Sequence, residues 1–246
     1  MNYRLLDAGD RAVTIEFGDA LDADCIERVA ALGDALRGEI RTGALVGVLE
    51  VVPTFRSLSV VFDPLRLPLA DLEKHIATRL GALPPRRPEA ARCWRLPVCY
   101  GGPCGPDLDD VARRLDCTTR DIVAWHSQAE FRVAMLGFLP GFAFMTGLPA
   151  RLHLPRRTEP RVRVPSGSVA VATALTAIYP WESPGGWHLL GRCPIPLFDP
   201  AAESPALLAP GDRVRFEPVH SDRFSALATR DDAAALARDC LETPPP

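Results

Sequence analysis

The chain has 246 residues, 47% of them hydrophobic, enough for one large domain or two ordinary ones with proper cores. A formal charge of -3 gives no general electrostatic reason to bind nucleic acid or an anionic membrane, and no apolar run approaches the roughly 20 residues that span a bilayer. The start MNYRLLDAGD carries acids where a signal peptide is basic and then apolar, and seven cysteines, an odd number, do not indicate a disulfide framework; a cytoplasmic protein with reduced thiols is expected.

The first third predicts an α+β unit. Tyr3 to Leu6 and Ala12 to Phe17 read as strands, the second alternating Val13, Ile15 and Phe17 with Thr14 and Glu16. Asp22 or Asp24 can cap a helix whose inner face is Ile26, Val29, Leu32 and Leu36, and Gly38 supplies a stop. Val46 to Val52, ended by Pro53, and Leu58 to Phe62 read as two more strands, and Leu72, Ile76, Leu80 and Leu83 mark a second helix. The order ββαββα predicts helices on one face of a mainly antiparallel sheet. Leu83-Pro84-Pro85-Arg86-Arg87-Pro88-Glu89 has no periodicity and marks a boundary near residue 88, between domains 1–88 and 89–246. Its other reading is a Pro-rich ligand for a partner domain.

The second part opens with a strand, Cys93 to Tyr100, and a Gly-Gly-Pro-Cys-Gly-Pro loop. Cys99 and Cys104 have no second ligand pair at metal-binding spacing, so no metal is expected. Asp107 can cap a helix with Leu108, Val111 and Leu115 inward, and Thr118 with Asp121 forms a capping pair for a second helix that carries Trp125 and His126. Short strands with Pro and Gly corners from Phe131 through Phe216 predict a closed or nearly closed barrel, followed by a final strand, an Ala-rich helix from Asp231 to Leu241 and a Pro tail.

Candidate site residues gather in this barrel region. Leu139-Pro140-Gly141-Phe142 and Ser183-Pro184-Gly185-Gly186-Trp187 each combine a fixed φ, a permissive glycine and an aromatic, and are expected side by side at the barrel mouth, forming the floor of a site. Plain hairpin corners are the alternative, and Trp187 can equally stack on a flat ligand or fill the barrel mouth. Arg161 and Arg163, two apart on a strand, are expected to face one way and hold an anion ahead of the Ser166-Gly167-Ser168 turn, whose amides and hydroxyls could bind oxygen atoms. A solvated edge strand is the competing reading. Arg192 is a second anion candidate, and His126 either carries protons or complements helix-terminal carbonyls. There is no G-x-x-x-x-G-K-[ST] loop and no G-x-S-x-G elbow.

GFLPGF, PRVRVPSGSVAVA, IYPWESPGGW and GRCPIPLFDP, with GDRAVTIEFGD, EVVPTFRSLSVVFDP, LPVCYGGPCGPDLDDVA and IVAWHS before them, closely resemble the KipI family, also called allophanate hydrolase subunit 1. The resemblance implies a cyclophilin-like barrel with a carboxyltransferase-type domain. It implies a subunit of an ATP-dependent 5-oxoprolinase that converts 5-oxo-L-proline to L-glutamate. Expected partners are an allophanate hydrolase subunit 2-type chain and a LamB/YcsF-type chain, with ATP bound mainly outside this chain. In that setting the residues expected to carry the chemistry are His126, Arg161 and Arg163. Pro140, Gly141, Phe142, Ser166, Gly167, Ser168, Tyr179, Ser183, Gly185, Gly186, Trp187 and Arg192 would bind substrate. The alternatives are a KipI-like inhibitor of a sensor histidine kinase and a carboxyltransferase or allophanate-hydrolase-type subunit of urea amide metabolism. This chain departs from the family pattern at Leu175-Thr176-Ala177 and Ala143-Phe144-Met145-Thr146, both in the expected site region.

Overall fold

In the computed structural model, which describes residues 3–83, 91–230 and 232–242, the chain divides into two units, Met1–Glu89 and Ala90–Pro246. The boundary expected near residue 88 lies outside the described residues.

The first unit runs β1 (Arg4–Asp7), β2 (Ala12–Glu16), α1 (Ala23–Thr42), β3 (Val48–Pro53), β4 (Ser57–Phe62) and α2 (Leu69–Ala82). Its sheet order is β1-β2-β4-β3, antiparallel throughout. Because strand side chains alternate, Val13, Ile15, Leu58, Val60 and Phe62 share one face, and they meet Val29, Leu32 and Leu36 of α1 and Leu72, Ile76 and Leu80 of α2. The Asp22 carboxylate caps α1, accepting from the Cys25 amide at 2.8 Å. Gly38 does not stop this helix: a glycine inside a helix costs only about 1 kcal/mol relative to alanine. The stop comes at Gly43, whose φ of 74° lets its N–H reach the Glu39 and Ile40 carbonyls. Likewise β3 starts at Val48 rather than Val46, after Gly47 at φ 98°, where an added Cβ would lie 2.7 Å from Leu67 Cβ.

The second unit comprises β5 (Cys93–Tyr100), α3 (Leu108–Arg114), α4 (Thr119–Ser127), β6 (Phe131–Leu136), β7 (Ala143–Thr146), β8 (Arg161–Val164), β9 (Ser168–Ala172), β10 (Leu175–Ile178), β11 (Ser183–Gly185), β12 (His188–Arg192), β13 (Arg213–Pro218), α5 (Ser221–Ala228), α6 (Ala233–Asp239) and β14 (Leu241–Glu242). Seven strands, β12-β9-β10-β7-β6-β13-β5, close into a barrel because β5 pairs back onto β12. All pairs in the ring are antiparallel except β13 with β5. Met145, Val169, Val171, Ile178, Leu190, Val214 and Phe216 point into the core. Thr118 and Asp121 cap α4 reciprocally, each side chain accepting from the other's amide. The Ala-rich helix is shorter than expected, capped by Asp232 and ending before β14, while Asp231 lies outside the described residues. Preceding it, α5 has no buried residue, so it leaves no apolar stripe to read in the sequence.

β9 and β10 are buried on both faces: Ala170, Ala172 and Ala177, which alternate with the core residues, are 0% exposed. A separate two-stranded ribbon of β8 and β11 pairs Ser183 with Val164 and Gly185 with Arg161. An added Cβ on Gly185 would fall 2.3 Å from the Tyr179 hydroxyl, so the ribbon and the outer wall approach closely at that point.

Candidate functional site

The turn Leu139-Pro140-Gly141-Phe142 closes with the Phe142 amide donating to the Leu139 carbonyl at 3.0 Å, and Gly141 has φ 80°, as a type II turn requires. Just before it, the Leu139 amide donates to the Gly137 carbonyl at 2.8 Å, with Phe138 between them at φ 69°. That is a γ-turn, a strained arrangement for an aromatic residue. The turns deliver Phe142 and Phe144 to the outer face of the barrel, alternating with the core residues Ala143 and Met145.

There they meet Tyr179 and Trp187 around a cavity of about 290 Å³, which Phe138, Arg156, Pro160 and Pro184 to Gly186 also line. The Phe142 ring stands edge-on to Tyr179 (5.1 Å, 90°) and to Trp187 (6.2 Å, 88°), and Phe144 lies 6.0 Å from Trp187. Phe142 and Trp187 thus line one concave pocket. Pro184 and Gly185 of the β8–β11 ribbon form part of its wall, and its cation is Arg156.

The two arginines singled out in the sequence are elsewhere. Arg161 donates two hydrogen bonds, of 2.8 and 2.6 Å, to the Asp107 carboxylate, which also accepts from Arg157 at 3.1 Å and from the Leu189 amide at 2.7 Å. Asp107 is 4% exposed and its oxygens are fully used, so it clamps the 157–161 segment to β12 instead of capping α3. Arg161 therefore has its anion already. Arg163 is 81% exposed and lies 3.5 Å from Glu182 in solvent. A register irregularity in the ribbon and the pull of buried Asp107 separate the two side chains that simple alternation would have put on one face.

In the Ser166-Gly167-Ser168 turn, two amides and one hydroxyl are likewise engaged within the fold. The Gly167 amide donates to the Tyr179 carbonyl at 2.7 Å, the Ser168 amide to the Pro165 carbonyl at 3.2 Å and the Ser166 hydroxyl to the Pro180 carbonyl at 2.8 Å. Arg192 donates to the Ser166 carbonyl at 2.8 Å and stands over the Phe224 ring. The Pro140 carbonyl accepts from the Trp181 indole at 3.2 Å, and Ser183 Oγ is buried without a hydrogen-bond partner among the described residues.

His126 is neither a proton carrier at the pocket nor a partner of helix-end carbonyls. It is fully buried and stacked on Phe216 at 4.8 Å and 8°. The Thr176 hydroxyl donates to the Ala170 carbonyl at 3.0 Å, so it must accept from His126 Nε2–H, also at 3.0 Å. Nδ1 is then the bare nitrogen, accepting the Tyr100 hydroxyl at 2.7 Å. Every polar group in this chain of bonds is satisfied with the ring neutral, and burial pushes the imidazole down to about 3.

Sequence reasoning missed Arg156, Phe138 and Phe144 as pocket residues and Asp107 as a clamp. The GFLPGF aromatics and the arginine run were the signals available; which arginine is free depended on the distant Asp107.

Residues 3–208 match the family described as carboxyltransferase domain, subdomain C and D. A protein from Bacillus subtilis (strain 168), named as the B-type chain of 5-oxoprolinase, is 33% identical over 236 residues, covering 92% of this chain and 97% of the relative. A protein of the same name from Escherichia coli O157:H7 is 38% identical over 213 residues, covering 85% and 93%. The solved structure of TTHA0988 superposes with a TM-score of 0.74 at 39% identity; it covers 86% of this chain, which spans 40% of that longer one. The chain belongs to the family of the carboxyltransferase domain, subdomains C and D.

Proposed function

We propose that this chain is the B-type component of an ATP-dependent 5-oxoprolinase, an assembly that opens the lactam of 5-oxo-L-proline to give L-glutamate. The observation that carries this reading is the likeness to 5-oxoprolinase components of the same type along nearly their whole length. The aromatic cavity supports it. At about 290 Å³ it lies at the small end of ligand pockets, suited to a compact metabolite.

The residues here do not fit a nucleotide. The cavity is too small for one, the chain has no phosphate-cradling glycine loop, Arg157 and Arg161 are taken by Asp107, and the Gly167 and Ser168 amides are spent within the fold. ATP is therefore assigned to another chain, of the allophanate hydrolase subunit 2 type or the LamB/YcsF type, and the assembly is placed in the cytoplasm. What this chain supplies is a dry, preformed wall for the small substrate, which orients it and keeps water from one side of the ring.

Reconstitution tests this reading. The purified chain alone is expected to hydrolyse no ATP in response to 5-oxo-L-proline, and mixing with the two partner chains from the same source is expected to produce L-glutamate and ADP together. Glutamate formation by the partners alone, or none by the full mixture, overturns it.

A further inference from the structure

The pocket walled in part by the β8–β11 ribbon carries two features that together define a class of ligand. Phe142, Phe144 and Trp187 line it, the two phenylalanine ring centroids lying 6.2 and 6.0 Å from that of Trp187, and together they form an aromatic wall on which a flat ring can stack. Beside them stands Arg156, exposed and without an acidic partner among the described residues. Neighbouring Arg157 and Arg161 share the single carboxylate of Asp107, so positive charge is in surplus on this side. An aromatic cage built for an ammonium group would repel rather than attract with that charge. The Tyr179 hydroxyl, which has no hydrogen-bond partner among the described residues, is kept protonated: burial pushes it up to about 12, against the pull of Arg156 and Arg161. It is available to donate to a carbonyl oxygen.

We propose that this pocket recognises a small planar ring bearing a carboxylate, with Arg156 as the carboxylate anchor and Tyr179 as the donor to a ring carbonyl. Resting on the function proposed above, the ring is the lactam of 5-oxo-L-proline, and this chain is the component that reads the substrate's carboxylate. Arginine suits the task because its planar fork grips a carboxylate through two parallel bonds and stays charged.

The experiment compares 5-oxo-L-proline with 2-pyrrolidone, the same lactam without the carboxylate, by ligand-observed NMR titration of the purified chain. The wild-type chain is expected to bind 5-oxo-L-proline at least about tenfold more tightly, the factor a lost charge-assisted hydrogen bond typically represents. Arg156→Ala is expected to erase that preference while leaving 2-pyrrolidone affinity unchanged, and Tyr179→Phe to weaken both ligands alike. Because Arg156 is exposed, its truncation leaves the packing intact, and Arg156→Lys gives a second variant expected to restore part of the preference. No binding of either ligand, equal binding of both by the wild type, or a preference that survives Arg156→Ala overturns the inference. If reconstituted complex makes glutamate while any of those results holds, the pocket assignment falls and the function stands; the expected binding pattern without turnover on reconstitution leaves the pocket standing and removes the function.

Discussion

Asp107 and Arg161 lie 54 residues apart in sequence and meet through two hydrogen bonds of 2.8 and 2.6 Å. The pair is shielded, with side chains 5% and 24% exposed, and Arg157 joins it from the same side. Removing the carboxylate's charge leaves two guanidinium groups facing each other over a buried amide. Asp107→Asn keeps an acceptor for Leu189 N–H but breaks the pair, and loss of one partner of a buried ion pair typically costs about 3 kcal/mol. Urea denaturation is the check. An unchanged midpoint would mean that the clamp contributes nothing to stability.

The neutral His126 network predicts an acid limb in the stability curve. In the unfolded chain the ring titrates near its ordinary value of about 6.5; in the folded protein burial holds it down to about 3. Between those values the unfolded state binds the extra proton, so stability rises with pH. The contribution is complete above about pH 6.5 and is lost as pH falls toward 3, at up to about 1.4 kcal/mol per pH unit. Chemical denaturation from pH 7 to pH 4 is expected to show this slope, and His126→Gln to flatten it.

Thr176→Val tests the direction of the hydrogen bonds in that network. It strips the acceptor from His126 Nε2–H in a fully buried setting and is expected to cost about 1–3 kcal/mol. His126→Phe together with Tyr100→Phe in the same background is expected to recover part of the loss, because neither the His126 nor the Tyr100 donor is then left orphaned. Equal stability of Thr176→Val and the wild type would contradict the bonding order described.

Phe138 is 64% exposed and sits at φ 69°, where a side chain costs about 1–2 kcal/mol relative to glycine. Phe138→Gly is expected to raise the denaturation midpoint slightly, since little buried area is lost, and to weaken ligand binding at the pocket rim. A stability loss above about 1 kcal/mol would show that its edge contact with Phe142 outweighs the backbone cost.

Gly185→Ala places a Cβ 2.3 Å from the Tyr179 hydroxyl, so one of the two must move. The barrel core lies on the other face of the wall, so far-ultraviolet circular dichroism is expected to stay unchanged. Affinity for 5-oxo-L-proline is expected to drop, about tenfold for a misplaced donor. Wild-type affinity in this variant would remove Tyr179 from the binding surface.

Sequence alone determined the elements whose information is local. Alternation in AVTIE and SLSVVF, helical spacing through Leu72, Ile76 and Leu80, the Thr118–Asp121 capping box and the Pro140-Gly141 turn all depend on neighbours within a few residues, and each is found as read. Burial of β9 on both faces was not readable from SVAVA, because a run of small apolar residues does not say what lies on its second side. Nor could it be read which of Arg156, Arg157, Arg161 and Arg163 stays free. That choice is made by a carboxylate whose partners stand 50, 54 and 82 residues away, brought together only when the barrel closes. His126 follows the same logic: helix-end chemistry is local, but its neutrality comes from Tyr100, Thr176 and Phe216, on three different strands of the barrel. Charge and protonation at a site are set by what long-range folding buries beside it, and that is the part tertiary structure decided.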